Sequence, residues 1–126
     1  VVVDTSALLA VLFGEPPALR IAEALTAAGR PLISAVNYTE CLIRVWDRAP
    51  GVGDALDDSL AGFAFEIVPI DRPLAVAAAR ARLRYPINLG DCYAYALAKD
   101  RGMPLLTLDR DFARTDVVLV DLDARR

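Results

Sequence analysis

Four acidic side chains stand where chemistry could happen: Asp4 after Val1-Val2-Val3, Glu40 a few residues beyond Leu32-Ile33, Asp91 at the head of an apolar stretch, and Asp109 after Leu105 to Leu108. In an open α/β sheet, ligands gather beyond the carboxyl ends of the strands, so all four could reach one sheet edge. Carboxylates crowded into a partly apolar cleft repel one another and raise one another's pKa unless cations neutralise them. With only oxygen ligands on offer, the matching ion is hard and divalent, Mg²⁺ or Mn²⁺. Pairs of such ions roughly 3.5–4 Å apart can activate a water and stabilise a leaving oxygen in phosphodiester displacement. The chemistry suggested is metal-assisted hydrolysis of a phosphodiester. No histidine occurs in the chain, which removes imidazole triads, ligands and proton shuttles from consideration.

Each acid also has a purely structural explanation. Asp4 can cap a helix starting at Thr5, and Asp109 can cap a turn over Arg110 to Phe112. Glu40 lies three residues after Asn37 and Asp91 three after Asn88, spacings that resemble a capping box. What favours a shared site is apolar company: Asp4 follows three valines and Asp91 precedes Cys92-Tyr93-Ala94. Burying such carboxylates without partners is costly. Hydroxyls accompany the acids. Thr107, two residues before Asp109, points to the same face of a strand, and Thr5 and Ser6 directly follow Asp4. These groups could orient a carboxylate or hold a water at the metal.

The elements that must position these residues alternate along the chain. Strands are expected at Val1–Val3, Leu32–Ile33, Ile67–Ile70, Leu105–Leu108 and Val117–Val120, the third at an edge because it tolerates Pro69. Helices are expected over Thr5–Phe13, Pro17–Ala28, from a cap at Ser34 or Asn37 to about Arg48, more weakly over Asp54–Ala64, then over Pro73–Arg84 and Leu89–Arg101. Strands with little polar alternation, separated by helices, imply a parallel sheet covered on both faces. The fold class is therefore α/β, a three-layer α/β/α sandwich around about five short parallel strands.

Length and composition set the frame. A chain of 126 residues with 56% apolar and 25% charged residues is expected to form one compact domain over residues 1–126. Cys41 and Cys92 form no C-x-x-C pair and read as buried small hydrophobes in a reducing compartment. The apolar run from Val1 to Phe13 carries Asp4 and ends in Gly14-Glu15-Pro16-Pro17, unlike a signal peptide or a membrane span. No membrane association and a cytoplasmic location are expected. The formal charge of −3 opposes nucleic-acid binding through bulk positive charge, but divalent cations held by the acids would reverse the local sign.

Taken together, Val3-Asp4-Thr5-Ser6-Ala7-Leu8, Asn37-Tyr38-Thr39-Glu40, Leu89-Gly90-Asp91-Cys92-Tyr93-Ala94 and Leu106-Thr107-Leu108-Asp109-Arg110-Asp111-Phe112 resemble, in order and separation, a PIN-domain protein of the VapC type. The resemblance covers essentially the whole chain. It implies a Mg²⁺- or Mn²⁺-dependent endoribonuclease acting as the toxin of a toxin–antitoxin pair, a homodimer restrained by a cognate antitoxin. Asp4, Glu40, Asp91 and Asp109 would be its metal-binding acidic quartet, with Thr107 and Ser6 assisting. Asp111 competes for the fourth position, although Asp109 stands closer to the strand end. The segment from Pro50 to Glu66 carries no family signal.

Other residues admit two readings. Arg44, Arg48, Arg80 and Arg84 could meet RNA phosphates, or form a solvated surface with an ion pair such as Glu40 to Arg44. Tyr93, Tyr95 and Trp46 could stack on bases, but on such apolar helices they fit core or dimer contacts better. The cysteines follow site acids, yet each is turned about 100° away on its helix. Competing functions fit less well. A haloacid-dehalogenase-like enzyme would want a second Asp at position 6, where Ser stands, and a receiver domain would want a lysine after its last strand. A degenerate PIN-like module that only binds RNA or a protein partner is the remaining alternative.

Overall fold

A computed structural model describes residues 1–52, 55, 57–58, 60 and 64–123. Its sheet has four parallel strands, β1 (Val2–Val3), β2 (Leu32–Ser34), β3 (Glu66–Val68) and β4 (Leu105–Leu106), in the spatial order β3-β2-β1-β4. Val2 pairs with Leu32 on one side and Leu105 on the other, and Ile33 pairs with Ile67. The fifth strand expected over Val117–Val120 is not formed; an isolated parallel bridge between Leu105 and Leu119 stands in its place. Val118 and Leu119 remain well exposed there, so this segment has too little to bury to extend a ladder. β4 also stops sooner than expected, at Leu106, so Thr107 lies beyond the strand end rather than within the strand.

The helices are α1 (Thr5–Leu12), α2 (Ala18–Ala28), α3 (Ala35–Arg48), α4 (Arg72–Arg84) and α5 (Leu89–Arg101), followed by a 3-10 turn over Arg110–Arg114. The weak helix expected over Asp54–Ala64 falls largely outside the described residues. Asp4, Ser34, Asp71 and Asn88 cap α1, α3, α4 and α5 through side-chain oxygens that accept backbone N–H bonds, satisfying donors a helix start leaves unpaired. Of the two caps considered for α3, Ser34 serves and Asn37 does not. Gly102 ends α5 in the left-handed conformation, at φ 61°, where a side chain would be strained.

Successive strand residues alternate between two cores, as a pleated strand requires. Val2, Leu32 and Leu105 face a cluster built with Leu74, Ala78, Leu97 and Phe112; Val3, Ile33 and Leu106 face another built with Leu8, Ile21, Cys41 and Leu60. Helices α4 and α5 thus cover one face of the sheet and α1 to α3 the other, giving the expected three layers. Both cysteines are free and fully buried. Tyr95 is a core residue, Tyr93 packs half-buried against the same cluster, and Trp46 departs from the core reading by being 44% exposed. No helix among the described residues is long and apolar enough to cross a membrane.

Candidate metal centre

Because all strands run the same way, their carboxyl ends lie along one edge, and four acids meet there. Asp4, Glu40, Asp91 and Asp109 line a single cleft of about 580 Å³. Asp4 leaves β1 at the N-terminus of α1; Glu40 projects from the second turn of α3; Asp91 stands in the first turn of α5; Asp109 caps the 3-10 turn beyond β4. Capping and site placement are compatible for Asp4 and Asp109: a carboxylate has two oxygens and room for several hydrogen bonds, so accepting one backbone N–H leaves capacity facing the cleft.

Asp4 is only 2% exposed. Its Oδ1 accepts from the Ser6 hydroxyl at 2.8 Å and from Ala7 N at 3.2 Å, and its Oδ2 accepts from Thr107 Oγ1 at 2.6 Å. Burial pushes its pKa up to about 6, partly opposed by these hydrogen bonds and assisted by the nearby charge of Asp109. Thr107 Oγ1 also accepts from Asp109 N at 2.9 Å, while Ser6 Oγ accepts from Leu108 N at 2.9 Å. The two hydroxyls therefore stitch the end of β4 to the end of β1, one hydrogen-bond step behind the cleft.

Glu40 is held differently. Its Oε1 accepts from Thr5 Oγ1 at 2.8 Å and from Asn37 Nδ2 at 3.2 Å. The carboxylate lies over Gly90, the residue before Asp91, where an added Cβ would stand 2.7 Å from Glu40 Cδ. Neither Asn37 nor Gly90 was picked out as a site residue in the sequence. A signal existed in each case: an amide placed inside a helix that disfavours it, and a glycine in the first turn of a helix. Arg44 also lines the cleft, but among the described residues no ion pair joins it to Glu40. Arg48 lies over the Phe13 ring at 4.0 Å, and Arg80 and Arg84 line a separate groove beside Tyr95.

Asp91 carries the feature that best fits a cation. It is 8% exposed, and its Oδ2 is buried with no hydrogen-bond partner among the described residues. Burial first, then the charges of Asp109, Asp4 and Glu40, push its pKa up to about 8. Oxygens of Asp91, Asp109 and Asp111 lie within 4.8 Å of one another, so the geometry adds Asp111 to the group rather than choosing between it and Asp109. An orphaned buried carboxylate oxygen facing further carboxylates, with oxygen as the donor type, fits a hard divalent cation.

A parallel α/β sandwich with acids gathered at the carboxyl edge of its sheet is the class of protein this chain falls in. Residues 1–118 match the PIN domain, and the chain belongs to the PIN-domain family. VapC ribonuclease Mb0640 of Mycobacterium bovis is 39% identical over 130 residues, spanning 96% of this chain and 98% of its own. Ribonuclease VapC42 of Mycobacterium tuberculosis is 36% identical over 125 residues, spanning 92% and 95%. Among solved structures, a toxin–antitoxin complex from Klebsiella pneumoniae superposes with a TM-score of 0.77 at 23% identity, covering 94% of this chain and 95% of that one. The sarcin-ricin loop cleaving toxin VapC20 of Mycobacterium tuberculosis gives 0.76 at 19% identity, covering 94% and 97%. At these identities the two structures speak to the fold alone.

Proposed function

We propose that this chain is a metal-dependent endoribonuclease, the toxin of a toxin–antitoxin pair, whose Asp4, Glu40, Asp91 and Asp109 hold Mg²⁺ or Mn²⁺ beside an RNA phosphodiester. The observation that carries the reading is the buried, unpartnered Oδ2 of Asp91 in a cleft shared with the other three acids. Full-length relatives named VapC ribonucleases support it. When bound, the cation would acidify water and offset charge on the scissile phosphate. Asp91 and Asp109 would be its inner ligands, with Asp111 in reach. Asp4, fixed by Ser6 and Thr107, would present one face of its carboxylate to the cation. Thr107 acts through Asp4 and the Asp109 backbone as a positioning residue. Arg44, on the cleft wall, would meet a phosphate of the RNA strand. Water attacks phosphorus and the P–O3′ bond breaks, leaving a 3′-hydroxyl and a 5′-phosphate.

Residues 1–126 would act as one PIN-like unit in the cytoplasm, as a homodimer whose cleft is covered by an antitoxin. Ile43 and Leu108, both exposed at the cleft rim, supply apolar surface for such a cover. The test is incubation of purified protein with single-stranded and structured RNAs, in Mg²⁺ or Mn²⁺ and then in EDTA. Internal cleavage that EDTA stops and that Asp91→Asn lacks is the expected result. Cleavage that persists in EDTA would overturn the metal reading. Binding of RNA without any cleavage would favour the degenerate module instead.

A further inference from the structure

We propose that Asn37 is a positioning residue of the acidic site, a role that rests on the metal reading above. Asn37 is 1% exposed and sits inside α3, one turn before Glu40. Its amide is fully used. Oδ1 accepts from the Ser34 hydroxyl at 2.5 Å, while Nδ2 donates to Glu40 Oε1 at 3.2 Å and to the Gly90 carbonyl at 3.0 Å. One planar group therefore ties three pieces together: the end of β2 through Ser34, the acid of α3, and the first turn of α5 just ahead of Asp91.

Two further contacts make this a clamp rather than a single bond. Thr5 Oγ1 donates to the same Glu40 oxygen at 2.8 Å, from the turn after Asp4. The bare Cα of Gly90 gives the Glu40 carboxylate its seat, since a methyl group there would collide with it. Glu40 Oε1 is thus occupied by two donors, which leaves Oε2 as the oxygen to turn toward a cation. Replacing the Nδ2 donor by an acceptor would set oxygen against oxygen at both Glu40 and Gly90, without changing the volume of the side chain. Outer residues that orient ligands in this way typically change metal affinity by about 10–100-fold when substituted.

The test measures Mn²⁺ binding to the RNA-free protein by calorimetric titration, with thermal unfolding recorded alongside. Asn37→Asp is expected to weaken Mn²⁺ binding by at least about tenfold. In a Glu40→Ala background the same substitution should cost less than about threefold, because the coupled partner is gone. Gly90→Ala provides a second route that leaves Asn37 intact. Alanine is the better helix former, so the variant should fold while losing Mn²⁺ affinity to a similar degree through the displaced Glu40. Asn37→Asp and Gly90→Ala that unfold earlier yet bind Mn²⁺ like the parent would overturn the inference, and so would an equal loss with or without Glu40. A folded parent that binds no Mn²⁺ would sink the metal reading itself, and this inference with it.

Discussion

Thr107 Oγ1 donates to Asp4 Oδ2 over 2.6 Å, joining the ends of β4 and β1 across 103 positions of sequence. The same oxygen accepts from Asp109 N, so one hydroxyl sets the spacing of two acids. Thr107→Val keeps the shape and removes both bonds, leaving a buried carboxylate oxygen and a backbone N–H short of partners. The expected loss is about 1–2 kcal/mol of stability, read as a lower urea midpoint, together with weaker RNA cleavage. Thr107→Ser should recover most of both. A valine variant as stable as the parent would show that the bond contributes nothing in the folded state.

Asp91 places a carboxylate where the metal-free fold gives one of its oxygens little to bind. Its buried Oδ2 has no partner and faces other carboxylates, so in the absence of divalent ions the residue strains the fold. Asp91→Asn removes the cost of burying a carboxylate or of taking up a proton to neutralise it. In EDTA the variant should be more stable than the parent at pH 7, by about 1–2 kcal/mol, while cleavage is lost. Chemical denaturation checks the first half; a variant less stable than its parent in EDTA would contradict the orphaned-carboxylate account.

The pH dependence follows from the same two residues. Burial raises the pKa of Asp4 to about 6 and, with the neighbouring acids, that of Asp91 to about 8, against 3.8 for an ordinary aspartate. Between about pH 4 and pH 8 the folded chain therefore binds more protons at these sites than the unfolded chain. Unfolding free energy rises as pH falls through this window. Asp116 acts in the opposite sense. Its hydrogen bonds from Tyr95 and Lys99 lower its pKa to about 2, so its contribution is present above about pH 4 and lost as pH approaches 2. Denaturation in EDTA from pH 8 to pH 5 should show stability increasing, and the trend should flatten in Asp91→Asn. A parent whose metal-free stability climbs with pH over that range would refute the assignment.

Phe112 links the core to the acids of the last turn. It is fully buried against Leu105 and Leu97 in the cluster beneath α4 and α5, one residue beyond Asp111. Phe112→Ala is expected to cost about 3–5 kcal/mol and to loosen Asp109 and Asp111 together. Phe112→Leu should cost much less. Comparable urea midpoints for the alanine variant and the parent would mean that the turn is not anchored by this ring.

Much of the site was legible before folding, because its acids are local features of strand ends and helix starts. Asp4 after three valines and Asp91 before a buried helical run could be singled out from hydrophobic context, and both are indeed buried. Apolar strands with little polar alternation, separated by helices, placed the sheet and its parallel sense, and consecutive residues such as Val2 and Val3 do serve opposite faces. The last strand was over-read: Val117–Val120 has the composition of a strand, but composition cannot say whether a neighbour offers a full row of partners.

Tertiary structure alone decided which groups meet. That Asn37 turns its amide to Glu40 and Gly90 rather than capping a helix, that Thr107 reaches Asp4, and that Asp111 joins Asp91 and Asp109 are contacts between distant segments. Local sequence determines what each side chain can donate or accept and which element carries it. The packing of α3 and α5 against one sheet edge determines the distances, and at ångström scale hydrogen bonding and charge repulsion depend on those distances above all.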